Sequence, residues 1–130
     1  MTVTHSEVAR NAGTNAIVDL LDGAGSKLVF RVGGTISSPG AAAATLTMAT
    51  PAFGASSAGT ATAGTITSDT NAAGNASPVS KASLQTSGDV LHIYCDVAAS
   101  GSDINMTNGL TIASGDTVSC SSLTYTALSA

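Results

Sequence analysis

The chain has 130 residues, 73 of them Ala, Gly, Ser or Thr, a formal net charge of −4 and only four aromatic side chains. Its eight acids, four bases, two histidines and two cysteines are scattered singly. An enzyme needs converging titratable, metal-binding or cofactor-binding groups, so no catalytic, cofactor or metal residue is expected and the composition points to structure rather than chemistry. Lys27, Lys81, Arg10 and Arg31 form no cluster, which excludes a nucleic-acid surface, and no apolar run approaches the length of a membrane span.

At the N-terminus, Met1 to Gly13 is polar and lacks the apolar region of a secretory signal. The expectation is synthesis in a cytoplasm without signal-directed export. Thr4-His5-Ser6-Glu7 has the form of a capping box, predicting a helix over 6–23. Val8, Ala12, Ile17, Leu20, Leu21 and Ala24 make its apolar side, with Arg10, Asn11, Asp19 and Asp22 opposite. Gly23 and Gly25 end it.

From Lys27 the period becomes two, with Leu28, Phe30 and Val32 sharing one face of a first strand. Gly33 to Ala43 reads as a long connection, Thr45 to Met48 as a second strand, and Pro51 as its stop. Ala52 to Gly59 is a small-residue loop, followed by a third strand over 60–67 with Ile66 inward. After a linker over 69–78, a strand at 79–85 leads through Ser87-Gly88-Asp89, the tightest hairpin signal, into Val90 to Val97. There Leu91, Ile93, Cys95 and Val97 face one way and Val90, His92, Tyr94 and Asp96 the other. Two short strands flanking Asn108-Gly109 and Ser114-Gly115-Asp116, then a last strand over 117–126 with a bulge near Ser121-Ser122, complete the chain.

One domain is expected at this length, with an arm and helix at 1–25 and strands over 26–130. Short, regularly spaced strands with Gly-rich turns predict an antiparallel β-sandwich or jelly-roll-like fold. The expected core is Leu28, Phe30, Leu46, Met48, Leu91, Ile93, Cys95 and Val118. Ile, Leu, Val and Phe total only 26 residues, so the core is thin and contacts with further copies or a larger assembly would stabilise it. Cys95 and Cys120 read as small buried hydrophobes; their pairing stays open, although a reducing cytoplasm disfavours it.

Apparent motifs do not survive inspection. Gly23 to Lys27 lacks the spacing of a phosphate loop, and its Lys opens a strand rather than a helix. Asp103 to Gly109 alternates oxygen-bearing side chains as a calcium loop does, but Ser114 stands where the twelfth-position Glu belongs, so a turn is the better reading. His5 and His92 lack metal-ligand spacing. No Gly-x-Ser-x-Gly elbow is present. Asn75-Ala76-Ser77 and Asn105-Met106-Thr107 match a glycosylation pattern that is inert without export.

The order of features is more informative. Arg10-Asn11-Ala12 and the run Ile17 to Gly23 lead into Lys27-Leu28-Val29-Phe30; Ala44-Thr45-Leu46, Pro51-Ala52-Phe53-Gly54 and Gly64 to Thr70 follow. The chain closes with Ser102 to Met106, Ile112 to Val118 and a Ser/Thr-rich strand. This series, spanning most of the chain, resembles small virion-associated proteins of tailed bacteriophages, including head decoration (cement) proteins. It departs from them between Ala76 and Leu84, where Pro78, Val79 and Lys81 stand in place of an aromatic-bearing strand. The resemblance implies a β-sandwich or jelly-roll protein on the outer capsid surface, with the major capsid protein and further copies of itself as partners, or else a neck, tail or baseplate component. Expected contact segments are Met1 to Ser6, Gly33 to Ala43 and Ala52 to Gly59.

Overall fold

The computed structural model describes residues 3–128. Helix α1 (Glu7–Val18) runs into a 3₁₀ turn (Asp19–Leu21), and then come β1 (Lys27–Gly34), β2 (Pro39–Thr47), β3 (Thr60–Thr62), β4 (Lys81–Gln85), β5 (Leu91–Ala98), β6 (Ile104–Asn105) and β7 (Thr124–Thr126). One five-stranded sheet has the order β2-β1-β4-β5-β6, and β3 and β7 form a second, two-stranded sheet. The protein is thus mostly β with one short helix. The sheet is mixed: its β5–β6 pair is parallel, where an antiparallel sandwich was expected, and its other pairs are antiparallel. β6 can be parallel because Ala99 to Asp103 carries the chain back across the end of β5.

Alternation along β1 sets the core. Leu28 lies opposite Leu46 on one side and Leu84 on the other. Phe30 stands between Ala44 and Ala82, whose short side chains leave room for its ring. Leu28, Phe30, Leu46, Met48 and Val118 are buried together as expected. Ile93 and Cys95 only pack against this cluster from partly exposed positions, and Leu91 stays outside it. The reason is their place on β5, which lies toward the far side of the sheet and is covered only at its C-terminal end. Val18, Leu21, Phe53, Val79 and Ile112 fill the remaining core.

Several connections differ from the sequence reading. Gly33 to Ala43 is mostly ladder: β1 and β2 form a hairpin with Val32 opposite Ala41 and Gly34 opposite Pro39, so only Thr35 to Ser38 turns. The glycines and alanines that read as loop serve a tight hairpin. The expected third strand shrinks to Thr60–Thr62, and Thr67 forms a single bridge to Thr47, while Ile66 is inward as expected. Between 106 and 123 no strand forms; Val118 makes an isolated bridge to Asp69. This segment instead braces the linker: Ala72 donates to the Asp116 carbonyl, Gly115 to that of Ala72 and Asn75 to that of Ile112. Gly74, at φ +74°, passes so close that a Cβ there would lie 2.3 Å from the Ser114 nitrogen.

The helix is also oriented differently. Ser6, not Thr4, is its N-cap, accepting from the Ala9 amide at 3.1 Å, as serine commonly does. Its buried face contains Thr14, Val18 and Leu21, whereas Val8 is 79% and Leu20 52% exposed. At its C-terminal end, Asp22 has a carboxylate oxygen buried without a hydrogen-bond partner among the described residues. Burial, then the charge of Asp19, pushes its carboxyl above the ordinary aspartate range. A raised pKa means the folded state binds the proton first, so stability should rise as pH falls through that pKa. We expect Asp22→Asn to add about 0.3–1 kcal/mol at neutral pH, the scale of removing an anion from a helix C-terminus. Thermal unfolding should show that gain fading as pH falls through the raised pKa and gone below the ordinary carboxylate pKa; a gain that persisted unchanged in acid would exclude this cause.

Candidate functional site

On the face of the sheet turned away from the main core, the polar side chains are organised around Arg31. Val29, Ser83 and Gln85 alternate with the core residues of β1 and β4 and so point to this face, yet all three are buried. Arg31 covers them. Its Nε donates to Ser83 Oγ at 2.9 Å, its Nη2 to Gln85 Oε1 at 3.0 Å and its Nη1 to the Gly40 carbonyl at 2.9 Å. Ser83 Oγ donates to Gln85 Oε1 at 2.7 Å, and Gln85 Nε2 donates to Asp89 Oδ1 at 2.9 Å. Lys27 closes the network with an ion pair to Asp89 at 2.8 Å. The Lys27 bond, then that of Gln85, holds the Asp89 carboxyl below its usual range.

Tyr94 extends the network to β5. Its hydroxyl donates to the Gly33 carbonyl at 2.6 Å and accepts from the Gly40 amide at 3.2 Å. Gly40 is therefore held from Arg31 and Tyr94 together, and a Cβ there would lie 2.0 Å from the Val32 carbonyl oxygen. Lys81 adds an ion pair to Asp96. The arrangement ties the β1–β2 hairpin, close to its turn, to β4 and β5, and the turn leaves Ile36 48% exposed. A shallow depression of about 500 Å³ beside the hairpin is lined by Thr35, Ile36, Lys81, His92, Tyr94 and Tyr125.

A larger cleft of about 650 Å³ lies between residues 103–112 and 116–124. Its carboxylates are occupied by backbone. Asp103 Oδ2 accepts from the Asp96 amide and Asp116 Oδ2 from the Ala113 amide, each near 3 Å. Asn105 Oδ1 likewise accepts from the Ser102 amide. The oxygens of the calcium-like stretch thus bind their own chain, and the described residues contain no group of three or more His, Cys, Asp or Glu that could hold a metal ion. Cys120 lines the cleft, but burial raises its thiol pKa and its Sγ donates to the Ser122 carbonyl. Burial, reinforced by Asp103 and Asp96, pushes Cys95 up to about 11. Neither thiol is activated as a nucleophile, since that requires a lowered pKa, and the two are not bonded to each other.

The three segments expected to make contacts differ in exposure. The loop at 52–59 is anchored to the protein at its two ends, where Ala52, Phe53 and Gly59 are buried. Asn11 Oδ1 accepts from the Gly59 amide, Asn15 Oδ1 from that of Ser56, and Thr14 Oγ1 donates to the Gly59 carbonyl at 2.6 Å. Gly54, Ala55, Ser57 and Ala58 stay exposed on the outside of that loop. In the hairpin segment residues 34–39, 41 and 42 are exposed, and of the N-terminal arm Met1 and Thr2 lie outside the described residues, while Val3 is 64% exposed. The helix residues that bind the loop escaped the sequence reading, which placed Asn11 on the solvent side. Their signal was the spacing Glu7, Asn11, Thr14, Val18, Leu21: one helix face, polar in its first half and apolar in its second.

Comparison of the chain with protein-family models, with curated proteins and with solved structures finds no match.

Proposed function

We propose that this protein is a structural component of a tailed-phage virion that decorates the capsid and stabilises it by bridging neighbouring capsid subunits. The order of sequence features from Arg10 to the Ser/Thr-rich end, which resembles head decoration proteins, carries this reading. Two properties of the structure are compatible with it. The carboxylates of the larger cleft are engaged with backbone, and Cys120 in the cleft and Cys95 outside it are both held protonated, as suits a structural rather than a catalytic role. The hairpin tip and the N-terminal segment present exposed Ile36 and Val3, and the hairpin is braced near its turn by Arg31 and Tyr94. In this reading the five-stranded and two-stranded sheets are the layers of a small sandwich, and contacts with the shell are made by the tip and the arm.

Purified particles provide the test. Many copies per shell, and loss of binding when Ile36 is changed to Asp or residues 1–6 are removed, are the expected results. A handful of copies at one vertex would reject shell decoration in favour of a neck or tail position. Undiminished shell binding by both variants would remove the tip and the arm as anchors.

A further inference from the structure

Of the six asparagines in the sequence, Asn108 alone precedes a glycine; the others precede Ala12, Ala16, Ala72, Ala76 and Met106. Thr107 and Asn108 form a turn, and Asn108 and Gly109 are both exposed. The chain is held on either side of it, the Met106 amide donating to the Ala98 carbonyl and the Leu110 carbonyl accepting from the Val79 amide. The Asn108 carboxamide itself makes no hydrogen bond among the described residues. Gly109 takes a φ of +109°, and a Cβ placed there would meet nothing within 4 Å, so the space beside it is open. The other asparagines are shielded. Asn11 and Asn15 lie in α1 and accept from the Gly59 and Ser56 amides, and Asn75 and Asn105 accept from those of Ser77 and Ser102. The Asn71 carboxamide makes no such bond among the described residues, but the next residue, Ala72, is 1% exposed and its amide donates to the Asp116 carbonyl.

We propose that Asn108 is a site of spontaneous deamidation. The Gly109 amide nitrogen loses its proton to hydroxide and attacks Asn108 Cγ; the Cγ–Nδ2 bond breaks, ammonia leaves with a proton from water, and a succinimide ring remains. Water then opens the ring. Addition at Cγ gives aspartate, whereas addition at the main-chain carbonyl gives isoaspartate, whose backbone runs through the former side chain and is longer by a methylene. Water and hydroxide are the only co-reactants. Ring closure folds the following nitrogen back onto the side chain, a movement that a Cβ on that residue hinders and that glycine leaves free. Asn108 lines the larger cleft together with Asp103 and Asp116. Either product therefore adds a carboxylate to that wall and makes the protein one unit more negative. The proposal concerns the chemistry of the purified chain and stands apart from the virion reading.

The test holds the purified protein at mildly alkaline pH, warm but below its unfolding transition, and follows every asparagine by peptide mass spectrometry, with isoaspartate scored by its separate elution. Asn108 should convert ahead of the other five asparagines, give both aspartate and isoaspartate, and convert faster as pH rises, because the attacking nitrogen must lose a proton. Gly109→Ala should slow the conversion at least about tenfold, since its Cβ crowds ring closure. An Asn108 that stays intact, or that converts no sooner than the others, overturns the proposal. So does aspartate formed without isoaspartate, which would mean direct hydrolysis, or a rate that Gly109→Ala leaves unchanged. The comparison among asparagines requires no variant and therefore decides the matter even if alanine at a positive φ disturbs the turn.

Discussion

Phe30→Ala should lower the free energy of unfolding by about 3–5 kcal/mol, measured as a fall in the urea midpoint at constant slope. The ring is 2% exposed and sits in the middle of β1, with strands paired on both sides. Its cross-strand neighbours are Ala44 and Ala82, and alanine cannot lengthen to occupy the space the ring leaves. The loss therefore combines the transfer of the ring with a cavity that the surroundings cannot close. Domains of this size have about 5–15 kcal/mol of stability in total, and a chain with so few large side chains belongs toward the low end. An unchanged midpoint would mean that Phe30 does not hold the sheet to the layer above it.

Arg31→Ala should cost about 2–4 kcal/mol, although Arg31 itself is only half-buried. Three guanidinium bonds disappear together, and Ser83 and Gln85 remain buried without their charged donor. Leaving buried polar groups unsatisfied is more costly than a bond's ordinary net worth. Arg31→Lys should recover less than half of this, because an ammonium cannot reach three acceptors in the fixed geometry of a guanidinium. Combined with Gln85→Ala in a double-mutant cycle, Arg31→Ala should show coupling of about 1 kcal/mol or more. Strict additivity would show that the two side chains act independently and that the network is not a unit.

The strands with large alternating side chains were the legible part of the fold. Leu28 and Phe30 in β1, Leu46 in β2 and the Ser87-Gly88-Asp89 hairpin into β5 were readable because period two and turn chemistry are local properties. Ala41 to Ala44 could not be read that way. A run of alanines carries no alternation, and only the pairing of Val32 with Ala41 turns it into a strand. The thiols, carboxylates and histidines were scattered in sequence, and folding brought them to no metal site among the described residues. The polar network was invisible for a related reason. Arg31, Ser83, Gln85 and Asp89 are separated by up to 58 positions, and nothing in their spacing announces that β1 and β4 lie side by side.

Composition and local pattern alone settle that this chain is β-rich, has a single short helix at its start and has a core built on few large side chains. These properties follow from residue volumes and from periodicity, which act over a few neighbours. The direction in which the helix faces was decided by tertiary structure. Periodicity marked Val8, Ala12 and Leu20 as its inner side, but the loop at 52–59 offers backbone donors and acceptors that must be satisfied once buried. Asn11, Thr14 and Asn15 can satisfy them. An unmet buried amide costs more than an exposed valine or leucine, so the polar side turned inward and Val8 and Leu20 were left in water. The parallel placement of β6 is likewise a tertiary outcome, because no local signal distinguishes a strand that turns back from one that crosses over.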